Sequence, residues 1–316
     1  MDTHLFTLLD NLVDSTFFVI DPTRRLFWLS IISSVMLVLL VLKLQGRRLN
    51  WRMLRHVFLS KRYWLNSSTR TDLRWFSVNC GVKAILATIF LGSQLVITMA
   101  VALALQSEFG TFSATALPWL TIAIIYTLVF FVAEDFSRFL LHVAMHRVPF
   151  LWQLHKVHHS ATTLTPLTVH RVHPVETCLY FARGILVFGL ISGFFVYCFG
   201  NQLTALDILG VDALGFLFNL VGANLRHSHI WLSFGRVEKF LISPAQHQIH
   251  HSSDELHRDT NFGTCLSIWD RSIGSWHSAG SKKQRLSFGL PATKITCSSE
   301  IVNSLISPVS SPKGVS

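Results

Sequence analysis

Sixteen histidines stand in this 316-residue sequence, and twelve of them fall between His142 and His251. His142 and His146 are spaced i, i+4. His155, His158 and His159 are spaced i, i+3, i+4, and His247, His250 and His251 repeat that HxxHH pattern. On an α-helix these intervals place the rings on one face within a turn, where they can converge on an ion. At this histidine frequency one HxxHH is expected by chance roughly 0.04 times, so two copies beside an HxxxH are not an accident of composition. The eight box histidines therefore read as metal ligands, whereas His4, His56, His257 and His277 read as ordinary hydrogen-bonded residues. Eight imidazoles exceed the four to six or so ligands that one ion takes, which implies two ions with positions left open for water or dioxygen. Neutral nitrogen donors suit zinc, iron or copper rather than magnesium or calcium, and spacing does not choose among the three.

Other residues join by position. His170 and His173 follow the first HxxHH, and His227 and His229 precede the second. Residues two apart on a helix point about 200° from each other, so one of His227 and His229 is expected to be a ligand. Glu134, Asp135, Glu176, Asp254 and Asp270 are the acids nearest the boxes. A ligating histidine commonly donates its other N–H to a carboxylate, so Asp135, Glu176, Asp254 and Asp270 are candidates to orient the rings.

The elements that must position these groups are those of a membrane protein. Charged residues make up 14% of the chain and hydrophobic ones 50%, and mean hydropathy is +0.44. This excludes an ordinary soluble domain, disorder and collagen, and a net charge of +10 without a polar domain does not indicate nucleic-acid binding. The five cysteines are scattered and contain no CxxC, so neither a disulfide framework nor a thiolate metal site is expected. Apolar stretches at 26–44, 80–105, 118–132, 178–199 and 206–221 are candidate spans, the last two weakened by Arg183, Asp207 and Asp212 and readable as a membrane hairpin. Asp2, Asp10 and Asp14 precede the first of them, so it is expected to stay as an anchor and not to be removed as a signal peptide.

Between residues 46 and 75 lie Arg47, Arg48, Arg52, Arg55, Lys61, Arg62, Arg70 and Arg74 against one acid, Asp72, while 106–117 carries no Lys or Arg. The positive-inside rule makes 46–75 a cytoplasmic loop, with the N-terminus outside and all histidine boxes inside, in a bacterial inner membrane or endoplasmic reticulum. Contact of that loop with lipid headgroups is a further reading. The expected fold is all-α and integral to the membrane: four or five transmembrane helices with a cytoplasmic helical His-box cap holding a dimetal site. Three regions follow: a transmembrane part at 1–140 with the basic loop, a His-box catalytic region at 141–290 including the hairpin at 178–222, and a Ser/Pro-rich flexible tail at 291–316.

The run HVAMHRVPFLWQLHKVHHS at 142–160, RVHPVE at 171–176, SPAQHQIHHS at 243–252, NFG at 261–263 and the WD of Trp269 and Asp270 resemble the fatty acid hydroxylase/sterol desaturase superfamily. The resemblance covers about residues 130–275 and implies a membrane non-haem di-iron oxygenase. It implies that the eight box histidines bind two irons, with His173 and His227 as further ligands. His229 departs from the HxN pattern of that superfamily, and His170 lies outside it; both stand as possible additional ligands. No HPGG haem-binding signature is present, so the resemblance implies a separate electron-transfer protein as electron donor.

The chemistry implied is O2-dependent attack on an unactivated C–H bond of a fatty acyl, sphingoid or sterol-like lipid, giving an alcohol or, on loss of a second hydrogen, an alkene. Hydroxylation is preferred to desaturation. A membrane zinc hydrolase would call for HExxH, which is absent, and a metal transporter for irregularly spaced histidines in a disordered loop. A bis-histidine haem protein would need single histidines deep in facing spans.

Overall fold

The computed structural model describes residues 27–112, 117–203, 212–280 and 282–290. Among these residues the chain is helical, with two isolated bridges and no strand. The apolar helix α1 (Trp28–Leu44) turns at Gly46 into α2 (Trp51–Leu59), α3 (Lys61–Trp64) and α4 (Ser67–Ile89). Asn50 and Asn66 start α2 and α4 by accepting the N–H of Met53 and Thr69, as N-caps do. The stretch expected as a basic loop is thus mostly helix.

Helix α4 ends at Phe90, and α5 (Ser93–Phe109) begins after Gly92 at φ +77, a left-handed conformation that favours glycine. The two meet at 44°, so the span expected over 80–105 is broken near its middle. Among the described residues two helices are long and apolar enough to cross a membrane, α6 (Trp119–Arg147) and α8 (Pro174–Phe199), or three if the bent α4–α5 pair is one span. The sequence had suggested four or five. Helix α1 has only 17 residues, short of the 20 or so that span hydrocarbon. Helix α9 (Ala213–Leu220) has eight, and most of the remaining 206–221 stretch lies outside the described residues, as does the tail from 291.

Helix α8 packs along α5 and α6. Its Gly189 and Gly193, four apart, let the α5 backbone approach: a Cβ on Gly193 would lie 2.8 Å from the Thr98 carbonyl oxygen. Small residues at this spacing are a common contact between helices in lipid. Against α6, Tyr126 stacks on Phe195 and its hydroxyl meets Ser192 Oγ at 2.6 Å. Arg183, a charge in an apolar helix, donates through both terminal nitrogens to Glu134 of α6 at 2.7 Å. Outward faces of α6 and α8 leave Leu128, Leu140, Leu186, Leu190 and Phe194 exposed, a surface suited to hydrocarbon rather than water.

Proline and capping geometry bring the histidine helices together. A single residue, Val148, separates α6 from α7 (Pro149–His159). Pro149 has no N–H to extend α6 and disfavours helical backbone at Val148, so the chain corners at once and sets the HxxHH of α7 against the HxxxH of α6. The loop after α7 is anchored by a buried group: Asp72 of α4 accepts from Arg171, Thr165 and Thr168 at 2.8–3.1 Å. Asn79, also on α4, donates to the carbonyls of His170 and Val172. Helix α10 (Pro244–His250) starts with a reciprocal capping box between Ser243 and Gln246. The last described helix is α11 (Ile268–Ile273).

Candidate metal centre

Nine histidines converge in two adjacent groups. One holds His142, His146, His155, His159 and His250; the other holds His158, His227, His247 and His251. Within each, one ring nitrogen per residue lies within 4.8 Å of the others. The groups do not follow the sequence boxes, and helical phase explains why. A residue advances about 100°, so in an HxxHH helix the i and i+4 rings share a direction while the i+3 ring points off to one side. Helix α7 gives its i, i+4 pair, His155 and His159, to the first group and His158 to the second. Helix α10 does the reverse, giving His247 and His251 to the second group and His250 to the first. Both groups are therefore built across the same two helices, and His159 and His251 stack between them with ring centroids 4.5 Å apart.

In the first group four of the five rings have an occupied outward nitrogen. Nδ1 of His142 lies 2.7 Å from the Phe262 carbonyl oxygen, and that of His250 lies 2.7 Å from the Thr260 carbonyl oxygen. A carbonyl can only accept, so both rings carry their proton on Nδ1 and turn an Nε2 lone pair inward. Nδ1 of His155 meets the buried carboxylate of Glu176 at 2.8 Å, and that of His146 meets Asp259 at 3.2 Å. Nε2 of His146, His155, His159 and His250 is buried without a hydrogen-bond partner. Buried polar atoms are rarely left so, and inward lone pairs with outward N–H donors are the arrangement of metal-ligating imidazoles.

In the second group the inward nitrogens face each other. Nε2 of His227 lies 3.3 Å from that of His158, 3.0 Å from that of His251 and 3.1 Å from that of His247, and His247 and His251 are 3.2 Å apart. One imidazole N–H serves one acceptor well, so three nitrogens around His227 cannot all be satisfied by hydrogen bonds. Four nitrogens at about 2.0–2.1 Å from a common ion would stand at about this separation. Burial first, and neighbouring imidazoles second, hold His158, His159, His247 and His251 well below the usual histidine pKa, and burial takes His250 down to about 3. Those five rings are neutral at pH 7, as ligands must be. This donor set fits two transition-metal ions.

The remaining histidines named from sequence lie elsewhere. His173 caps α8, its Nδ1 accepting from Val175 N, and neither it nor His170 enters a group. His229 also stays outside, its ring edge-on to Tyr63 at 4.5 Å and its pKa lowered to about 4, chiefly by burial. Of the acids, Glu176 orients His155. Asp270 acts one step back, accepting from Phe262 N and Gly263 N and so holding the strand of chain whose carbonyl meets His142. Asp135 meets no histidine: it accepts from Cys265 N, Leu266 N and Trp269 Nε1, pinning that loop to α6. Asp254 caps the turn at Leu256. Asp259 and the carbonyls of Thr260 and Phe262 were not anticipated, although NFG at 261–263 marked the place. Asp259 and Asn261 adopt φ of 57° and 53°, which turns the chain back over the rings.

A cavity of about 160 Å³ touches both groups through His146, His159, His250 and His251, with Trp152, Arg258 and Asp259 at its wall.

A fatty acid hydroxylase family model matches residues 127–275, the stretch that carries all nine converging histidines. Over 147 residues the chain is 26% identical to the ornithine lipid hydroxylase of Rhizobium tropici, covering 46% of this chain and 40% of that protein. It is 25% identical over 160 residues to the alkylglycerol monooxygenase of Xenopus tropicalis, covering 51% of this chain and 32% of the relative. The human alkylglycerol monooxygenase is 24% identical over 152 residues, with 48% and 31% covered. The chain thus spans less than half the length of each of these relatives. No solved structure matches it.

Proposed function

We propose that the chain is a membrane-embedded, O2-dependent lipid hydroxylase that binds two iron ions through its nine converging histidines. The observation that carries this reading is the set of inward, unpartnered imidazole nitrogens in two adjoining groups. Bound iron would supply activation of dioxygen for attack on a C–H bond, with electrons from a separate donor protein. The chain's own residues do the rest. Glu176, Asp259 and the Phe262 and Thr260 carbonyls fix ring direction, and the enclosing α7 and α10 keep water from the centre. The relatives' names specify lipids with a polar head, which supports a fatty acyl or alkyl substrate here and hydroxylation over desaturation. An apolar groove of about 460 Å³ along α6, lined by Leu128, Val132, Phe136 and Trp269, suits an alkyl chain. The basic segment 46–75 supports a topology with the histidines on the cytoplasmic side.

The test is anaerobic purification, followed by metal analysis and oxygen uptake with a reductant and a lipid extract. Iron in the protein and a lipid product heavier by one oxygen are expected. One zinc per chain, no iron and no oxygen uptake would reject the reading.

A further inference from the structure

The positive segment at 47–74 is a surface without counter-charge. All eight of its Lys and Arg residues are exposed, and none pairs with a carboxylate among the described residues. Its single acid is withdrawn: Asp72 is 0% exposed and already accepts from Arg171, Thr165 and Thr168. Set among the cations are large exposed apolar side chains, Trp51 at 72%, Leu59 at 62% and Leu65 at 64% exposure. Helix α2 is held in place by its other face, where Met53, Val57 and Phe58 pack on Val38, Val41 and Leu42 of α1. Arg52 and Arg55 face away from that contact. The surface begins where the apolar run of α1 ends.

We propose that this surface is a docking site for the headgroups of anionic phospholipids in the surrounding bilayer. Uncompensated cations supply the attraction to phosphate, and Trp51, Leu59 and Leu65 supply contact with the acyl boundary beneath. A soluble acidic protein would meet the charge but leave those three side chains in water, which favours lipid as the occupant. The surface also reaches the metal-bearing part of the chain. Tyr63 donates to the Leu164 carbonyl at 2.9 Å, and Asp72 holds Arg171, both partners lying just beyond the HxxHH of α7. Headgroup contact there seats the histidine helices against the membrane.

The test uses the full chain in neutral detergent, titrated with phosphatidylglycerol or phosphatidylcholine while native mass spectrometry counts bound lipid. Phosphatidylglycerol should bind at least about tenfold more tightly, with the preference shrinking as salt rises from about 0.05 to 0.5 M. Each surface cation contributes roughly fivefold. A variant combining Arg52→Gln, Arg55→Gln, Lys61→Gln and Arg62→Gln, checked for folding by its far-UV circular dichroism and melting temperature, should lose most of the preference. Equal binding of the two lipids at low salt overturns the proposal without need of the variant. So does an undiminished preference in the folded variant. Saturable binding of an acidic electron-carrier protein that the variant loses, with no lipid preference, overturns it in favour of a protein-docking surface. None of these readouts depends on turnover, so failure here is distinct from failure of the hydroxylase reading.

Discussion

The two histidine groups share α7 and α10 but are held by different means. In the group of five, four rings are fixed from outside, by the Phe262 and Thr260 carbonyls, Glu176 and Asp259. In the group of four, the inward nitrogens crowd to 3.0–3.3 Å, and Nδ1 of His247 is buried without a hydrogen-bond partner. The first group is held mainly by its surroundings; the second, with its nitrogens turned on one another, would depend more on a bound ion. A ligand shell with orienting partners tolerates loss of a member better than one organised by the ion alone.

The largest effect is expected where the second group is thinned. His227→Ala leaves three rings there and should remove that ion, halving metal content and lowering turnover at least about a hundredfold, as read by metal analysis after dialysis and by product formation. His142→Ala leaves four rings in the first group, and more of its metal should survive the same dialysis. Equal losses in the two variants would break the comparison.

The next effect sharpens how the first group is held. Glu176→Gln should weaken metal retention by about 10- to 100-fold, because its carboxylate is buried and meets Nδ1 of His155 at 2.8 Å. Asp259→Asn should do less, since its side chain is 47% exposed and the contact is 3.2 Å. Competition with a chelator ranks the two, and a larger effect from Asp259 would mean that the loop, not the carboxylate on α8, governs the group. The smallest effect is expected from His173→Ala and His229→Ala. Neither ring enters a group, so metal content should be unchanged by the same assay, and loss of an ion in either would enlarge the ligand set.

The histidine boxes were legible because helical spacing survives in the primary sequence. Their division was not, because it depends on how α7 and α10 face each other, and no spacing within one helix encodes the phase of another. For the same reason Glu176 could be named as a candidate but not matched to His155. The Thr260 and Phe262 carbonyls are backbone groups whose direction no side-chain pattern encodes, although NFG at 261–263 marked the place. Asp135 misled for a physical reason: it shares a face of α6 with the HxxxH but stands about two turns earlier, where it captures the backbone of 265 and 266. Apolar runs located the start of α6 and both ends of α8 within a few residues. They missed the break before α5, where Gly92 takes a positive φ inside an otherwise continuous hydrophobic stretch, and they missed α2, α3 and the first half of α4, where Asn50 and Asn66 cap helices within the arginine-rich segment.

The central claim is that two ions sit in shells made of imidazole, one drawn from five rings and one from four. X-ray absorption at the iron edge, combined with metal counting on anaerobically purified protein, addresses it directly. The account predicts two irons per chain with nitrogen-dominated shells and strong imidazole outer-shell scattering. A single ion per chain, or shells dominated by oxygen or sulfur, would contradict it.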